Sequence, residues 1–107
     1  MTCEGRSREA LVELAEALRL NPALAEAHNN LGQALAEQDR FEEAVSQFSE
    51  AVRLKPTLAL AHFNLALALV RTNRLSQAIA ELSEVLRIDP INENARIALE
   101  SSKHRRE

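Results

Sequence analysis

The side chains in this 107-residue chain that could do chemistry are few and poorly placed for it. His28 and His62 lie one helix-pair apart on equivalent helices, with axes about 8 to 10 Å apart at best, and each faces its own hairpin. Their expected role is packing, and no Cys or His pair has zinc spacing. Ser46, Ser49, Ser76 and Ser83 have no base in register, and Cys3 has no positioned histidine. Gly5 and Gly32 are the only glycines, too few for a phosphate-cradling loop. Acidic pairs such as Glu42 and Glu43 read as the wet side of a helix. The residues therefore point away from an enzyme, with no catalytic group, no metal and no cofactor expected. The polar groups that do recur are amides. Asn30 and Asn64 stand at equivalent places, and an amide offers both a donor and an acceptor to another main chain.

That equivalence comes from an internal repeat. Pro22, Pro56 and Pro90 are spaced by 34 residues, and the stretches 25–58 and 59–92 share His28/His62, Leu31/Leu65, Leu35/Leu69, Arg40/Arg74, Ala44/Ala78 and Glu50/Glu84, among others. A period of this length means stacked helical hairpins, in which each repeat buries its apolar side only against its neighbours. Apolar spacing predicts A helices over about 24–38 and 58–72 and B helices over about 41–54 and 75–88. Asp39 and Asn73 suit the left-handed residue that closes a helix. Pro56 and Pro90 end each B helix and set the approach to the next A helix.

Composition agrees. Ala and Leu dominate, Trp and Tyr are absent, and a formal charge of -3 gives no reason to expect nucleic acid or an anionic membrane as partner. One cysteine near the start, no secretory pattern and no apolar run long enough for a bilayer make reduced, cytoplasmic surroundings the expectation.

The run His28, Leu31, Gly32, Leu35, Ala44, Phe48, Ala51, Pro56 resembles the tetratricopeptide repeat (TPR) signature: an aromatic, Leu-Gly, an aromatic, then Ala, an aromatic, Ala and Pro. The next copy reads His62, Leu65, Ala66, Leu69, Ala78, Leu82, Val85, Pro90. Histidine stands for the usual tryptophan and Leu35 and Leu69 for the usual tyrosine. The resemblance implies an all-α, right-handed solenoid of antiparallel helix pairs in a single domain: a half repeat over 6–20 with helix B only, full repeats over 25–58 and 59–92, and a polar capping helix over 93–106. In that capping helix Glu100 falls where Gly32 and Ala66 stood, and Lys103 where Leu35 and Leu69 stood. The half repeat reads either as a piece of a longer array or as a natural start at Met1. The exposed stripe of Leu11, Leu14 and Leu18 is then a candidate for self-association into a homodimer.

The concave side, lined by A helices, is the expected binding surface for a protein or peptide. The first A helix offers Glu26, Asn29, Asn30, Gln33 and Glu37. The second offers Leu60, Phe63, Asn64, Leu67, Val70 and Arg71, an apolar stripe with no obvious internal partner unless Ile97 covers part of it. The asparagines resemble those of the O-linked N-acetylglucosamine transferase TPRs, where a ladder of them holds extended peptides; a TPR arm of such an enzyme is the alternative reading, as is a self-associating scaffold. Chaperone-tail TPRs use a clamp of lysine, arginine and asparagine, and Asn29, Leu60 and Ala98 stand where cations or a further polar donor would be wanted. That function is not expected.

Overall fold

The computed structural model describes residues 3–21 and 23–106, and the side chains of residues 9, 11–21 and 23–104. Cys3, Gly5 and Pro22, which entered the sequence reading, lie outside the residues whose side chains are described. Among the described residues there are six helices and no strand: α1 Cys3–Leu20, α2 Ala25–Glu37, α3 Phe41–Leu54, α4 Ala59–Arg71, α5 Leu75–Ile88 and α6 Glu93–Arg106. The expected B helices match α3 and α5 end to end, and the A helices differ by one residue at each end.

Each helix stops for a local reason. At the end of α2 the Asp39 backbone takes φ 61°, so that the Arg40 N–H reaches Leu35 O at 2.9 Å and the Asp39 N–H reaches Ala36 O at 3.0 Å. Asn73 repeats this after α4 with φ 63°, Arg74 N–H to Leu69 O at 2.8 Å and Asn73 N–H to Val70 O at 3.1 Å. Both are the paired bonds that satisfy the last carbonyls of a helix and reverse the chain. The B-to-A corner closes with Leu58 N–H on Lys55 O at 3.0 Å, and the equivalent Asn92 N–H on Asp89 O at 3.2 Å. Helix starts are less well served: Leu24, Arg40, Leu58 and Arg74 cap four helices with no side-chain bond. Asn92 is different, its Oδ1 accepting the Ala95 N–H at 2.9 Å at the start of α6.

With weak caps, the helices are held by packing. Consecutive helices pack pairwise along the chain, and α2 also touches α4, which gives a stack 40 Å long and 28 by 21 Å across. One continuous core runs through it, from Leu35, Ala44 and Phe48 through Leu65, Leu69 and Leu82 to Ala95 and Leu99. At the crossing of α2 and α3 a Cβ on Gly32 would lie 2.5 Å from Cε1 of Phe48. The second hairpin solves the same crossing with Ala66 and Leu82, both fully buried. One methyl is added on the A helix, and the aromatic ring on the B helix gives way to a smaller side chain, which keeps the volume nearly constant. In α6, Ala95 and Leu99 are buried against this stack while Glu100 and Lys103 are exposed, as their charges require.

The outer surface is charged and repetitive. Arg53 binds Glu50 and Arg87 binds Glu84 at the same place in successive B helices, and each arginine, by hydrogen bonding, holds its carboxylate below the usual range. Arg74 reaches back to Glu42 at 2.8 Å, joining the outer faces of the two hairpins.

Four substitutions test this packing by urea denaturation. Gly32→Ala gains up to about 1 kcal/mol of helix propensity and loses about 1 to 3 kcal/mol by overpacking Phe48; the expected net loss shrinks when Phe48→Leu supplies the pairing of the second hairpin. Ala78→Leu, at a fully buried crossing, is expected to cost about 1 to 3 kcal/mol. Glu42→Ala, on the exposed face, should stay within about 0.5 kcal/mol.

Candidate functional site

The inner face of the stack is built by α2 and α4, with α1 and α6 beside them. Periodicity places Asn29, Asn30 and Gln33 on successive steps around α2, and Phe63, Asn64, Leu67, Val70 and Arg71 around α4. The structure sorts these residues into two groups.

The first group holds the repeats together. Asn29 is only 3 % exposed, and its Oδ1 accepts a hydrogen bond from Asn64 Nδ2 at 3.0 Å. This departs from the open stripe expected for Asn29, because neighbouring A helices face one another with an offset of one residue: 29 meets 64, one residue further on than the 34-residue period. One repeat on, the equivalent positions are Phe63 and Ala98, both half-buried and packed against the core. Val70 is likewise half-buried. Ile97, which could have covered the apolar stripe, is 64 % exposed and does not. The histidines reach across their own hairpins as expected: His28 Nδ1 lies 2.8 Å from Gln47 Oε1, and His62 Nδ1 lies 2.6 Å from Glu81 Oε1, with Nε2 2.8 Å from the Pro56 carbonyl. Among the described residues no three His, Cys, Asp or Glu side chains gather as for a metal. No helix of the described residues is long and apolar enough to cross a membrane.

The second group faces outward into the groove. Asn30 and Gln33 are exposed, as are Leu60, Leu67 and Arg71, with Leu60 at 54 % and Leu67 at 43 %. Between α2 and α4 lies a cavity of about 460 Å³, walled by Ala36, Phe41, Phe48 and Leu67, with Gln33, Asn64 and Arg71 at its edge. The Arg71 guanidinium stands 5.3 Å from the centre of the Phe41 ring, a cation–π contact that ties the end of α4 to the start of α3. A second groove, between α1 and α2, is bordered by Glu13, Leu14, Asn30 and Gln33. Leu11, Leu14 and Leu18 are half-buried, Leu11 against the core, while Val12 and Leu20 on the same helix are 72 % exposed.

Sequence reasoning missed Phe41 and Phe48 as walls of the cavity. A signal was present: they are the B-helix positions at which the second repeat carries Leu75 and Leu82, so an aromatic pair marks the first hairpin alone.

Residues 4–39 and 32–73 match a family model described as TPR repeat, and residues 59–92 match the tetratricopeptide repeat model. The chain belongs to the TPR family. Among solved structures the TPR fold is matched over 94 % of this chain by the first TPR of Spaghetti (RPAP3) bound to the HSP90 peptide SRMEEVD, at TM-score 0.91, 22 % identity and 79 % of that chain. The Arabidopsis OM64 TPR domain matches at TM-score 0.90, 23 % identity and 84 % of its length, again over 94 % of this chain. The second TPR domain of human RPAP3 in complex with the HSP70 peptide SGPTIEEVD matches at 0.88, 23 % and 83 %, with the same 94 % of this chain covered. No curated protein sequence matches the chain. These similarities establish the TPR fold.

Asn64 on α4 and Asn30 on α2 separate structural from surface roles. Asn64→Ala leaves the buried Asn29 oxygen without its donor and is expected to cost about 1 to 2 kcal/mol. Asn30→Ala should change stability by less than about 0.5 kcal/mol. Paired urea melts of the two variants check this.

Proposed function

We propose that this TPR domain is a non-catalytic interaction module that takes an extended peptide segment of a partner protein along its concave face. The observation that carries the reading is the cavity between α2 and α4. A space of about 460 Å³ with aromatic and aliphatic walls and amides at its edge is large enough for a side chain, and an apolar hollow of this kind on a surface is a binding feature. Leu60 and Leu67 extend the apolar contact along α4, with Phe63 and Val70 contributing the parts of their side chains that remain open. Asn30 and Gln33 offer donors and acceptors to a peptide main chain. Asn64 spends one N–H on Asn29 and keeps its carbonyl oxygen for the ligand. The ladder of asparagines expected from the transferase-type TPRs is thus reduced to Asn30 and the outer half of Asn64.

Two of the similar solved TPRs are bound to chaperone peptides, which supports peptide recognition as the mode. The acidic ends of those peptides are a different matter. On α2 there is no lysine or arginine, and on α4 there is only Arg71. With Asn29 buried, Leu60 apolar and Arg71 the only lysine or arginine on α2 and α4, these two helices do not offer a pair of cations for two carboxylates, so we assign this chain a different class of peptide.

Selection from a random peptide library displayed on phage, with the full chain as bait, tests the function. Peptides captured by the wild type are expected to bind Leu67→Glu about tenfold more weakly, the equivalent of losing one apolar anchor of about 1.4 kcal/mol. They should bind Ser76→Glu, on the exposed side of α5, with unchanged affinity. Equal loss on both variants, or no captured peptide, contradicts the proposal.

A further inference from the structure

The apolar contacts of the inner face run lengthwise along one helix, and their spacing bears on the form of a bound peptide; the inference rests on the peptide-binding reading above. On α4, Leu60 and Leu67 are seven residues apart, close to two turns of helix, so they share a face, with Asn64 between them. Leu60 is 54 % exposed and Leu67 43 %, and at 1.5 Å per residue they stand about 10.5 Å apart along the axis. One period before and after, the same positions are polar: Glu26 and Gln33 on α2, Asn94 and Ser101 on α6, all exposed. An apolar strip thus lies between two polar borders, with the cavity walled by Phe41, Phe48 and Leu67 at one end and Leu60 at the other. Level with Leu60, in the first turn of α2, stands Glu26. Among the described residues no cation forms an ion pair with it, whereas Glu93 in the first turn of α6 has Arg96.

We infer that the ligand is an extended peptide in the polyproline II conformation, lying along α4. Two of its apolar residues, three positions apart, seat in the cavity beside Leu67 and on Leu60, and a lysine or arginine next to the second meets Glu26. Spacing selects the conformation. Side chains three positions apart in polyproline II share a face and stand about 9.3 Å apart, within about 1 Å of the leucine spacing. On one face of a β-strand the side chains are about 6.6 or 13.2 Å apart, and one leucine is missed. A ligand helix meets the spacing with residues seven apart, but its main chain is bonded within itself and leaves nothing for the amides to hold. Asn64 donates to Asn29 through Nδ2 and keeps its side-chain carbonyl oxygen for a ligand N–H. Asn30 and Gln33 are exposed on the facing helix, and polyproline II leaves its N–H and C=O groups open to them. The charge follows from Glu26, whose carboxylate attracts a cation and repels an acid at that end. At the cavity end Glu37 and Arg71 bring both signs to the edge, and no charge is assigned to the ligand there.

The same library selection reads this out in the enriched sequences. The expected consensus has two apolar residues three positions apart, with Lys or Arg adjacent to one of them. Selection on Leu60→Ala should lose the apolar residue that neighbours the basic one and keep the other, and a wild-type-selected peptide should bind that variant about fivefold more weakly. Selection on Glu26→Lys should replace the basic residue by Asp or Glu while both apolar residues stay, and the same peptide should bind this variant about threefold more weakly. Both substituted side chains are exposed, and circular dichroism confirms that the variants are folded. Enriched peptides whose apolar residues stand at any other spacing, that carry no basic neighbour, or that bind either variant as well as the wild type overturn this inference and leave the peptide-binding function standing. Failure to enrich any peptide overturns both.

Discussion

Where α2 and α3 cross, the Phe48 ring lies on a backbone position that has no side chain, Gly32. Because a Cβ on Gly32 would come within 2.5 Å of the ring, the hairpin closes only with glycine at that place or with something smaller than phenylalanine opposite. Ala66 with Leu82 is the second answer to the same constraint. The helix starts carry almost no capping bonds, so these crossings, together with the fully buried Ala44 and Ala78, are what hold each hairpin shut. The stack forms because each closed hairpin still has an apolar side to cover.

The crossing also shapes the surface. The Phe48 ring that fills the space above Gly32 is part of the wall of the cavity between α2 and α4, and Phe41, about two helical turns earlier, forms another part. A packing choice inside the first hairpin thereby sets the depth of the groove on its inner side. The Arg71 stack on Phe41 fixes where the positive charge stands and ties the end of α4 to the residue that opens α3.

Much of this was legible in the chain before any coordinates. The spacing of the prolines, the left-handed turn residues Asp39 and Asn73, and the small residues Gly32, Ala44, Ala66 and Ala78 are local or strictly periodic signals, and they yielded α2 to α5 within a residue. The inner face was harder, because it depends on how far one hairpin is offset against the next. Periodicity aligned Asn30 with Asn64 and thus suggested a ladder of equivalent amides. In the stack it is Asn29 that meets Asn64, since neighbouring A helices are displaced by one residue relative to the repeat. The pairing of Arg71 with Phe41 crosses from one repeat to another in the same way, and no spacing rule within a repeat announces it.

The displaced contacts make the two seams of the stack chemically different. Between α2 and α4 the seam is an amide on an amide, while the same positions between α4 and α6 hold a phenyl ring and a methyl group. If the repeats were exchanged in order, Asn29 would be set against Ala98 and Phe63 would stand where an amide needs a partner, leaving buried polar atoms without bonds. Repeats so alike in sequence are therefore not interchangeable parts. The array has a reading direction, written in the seams and invisible in the consensus of the motif.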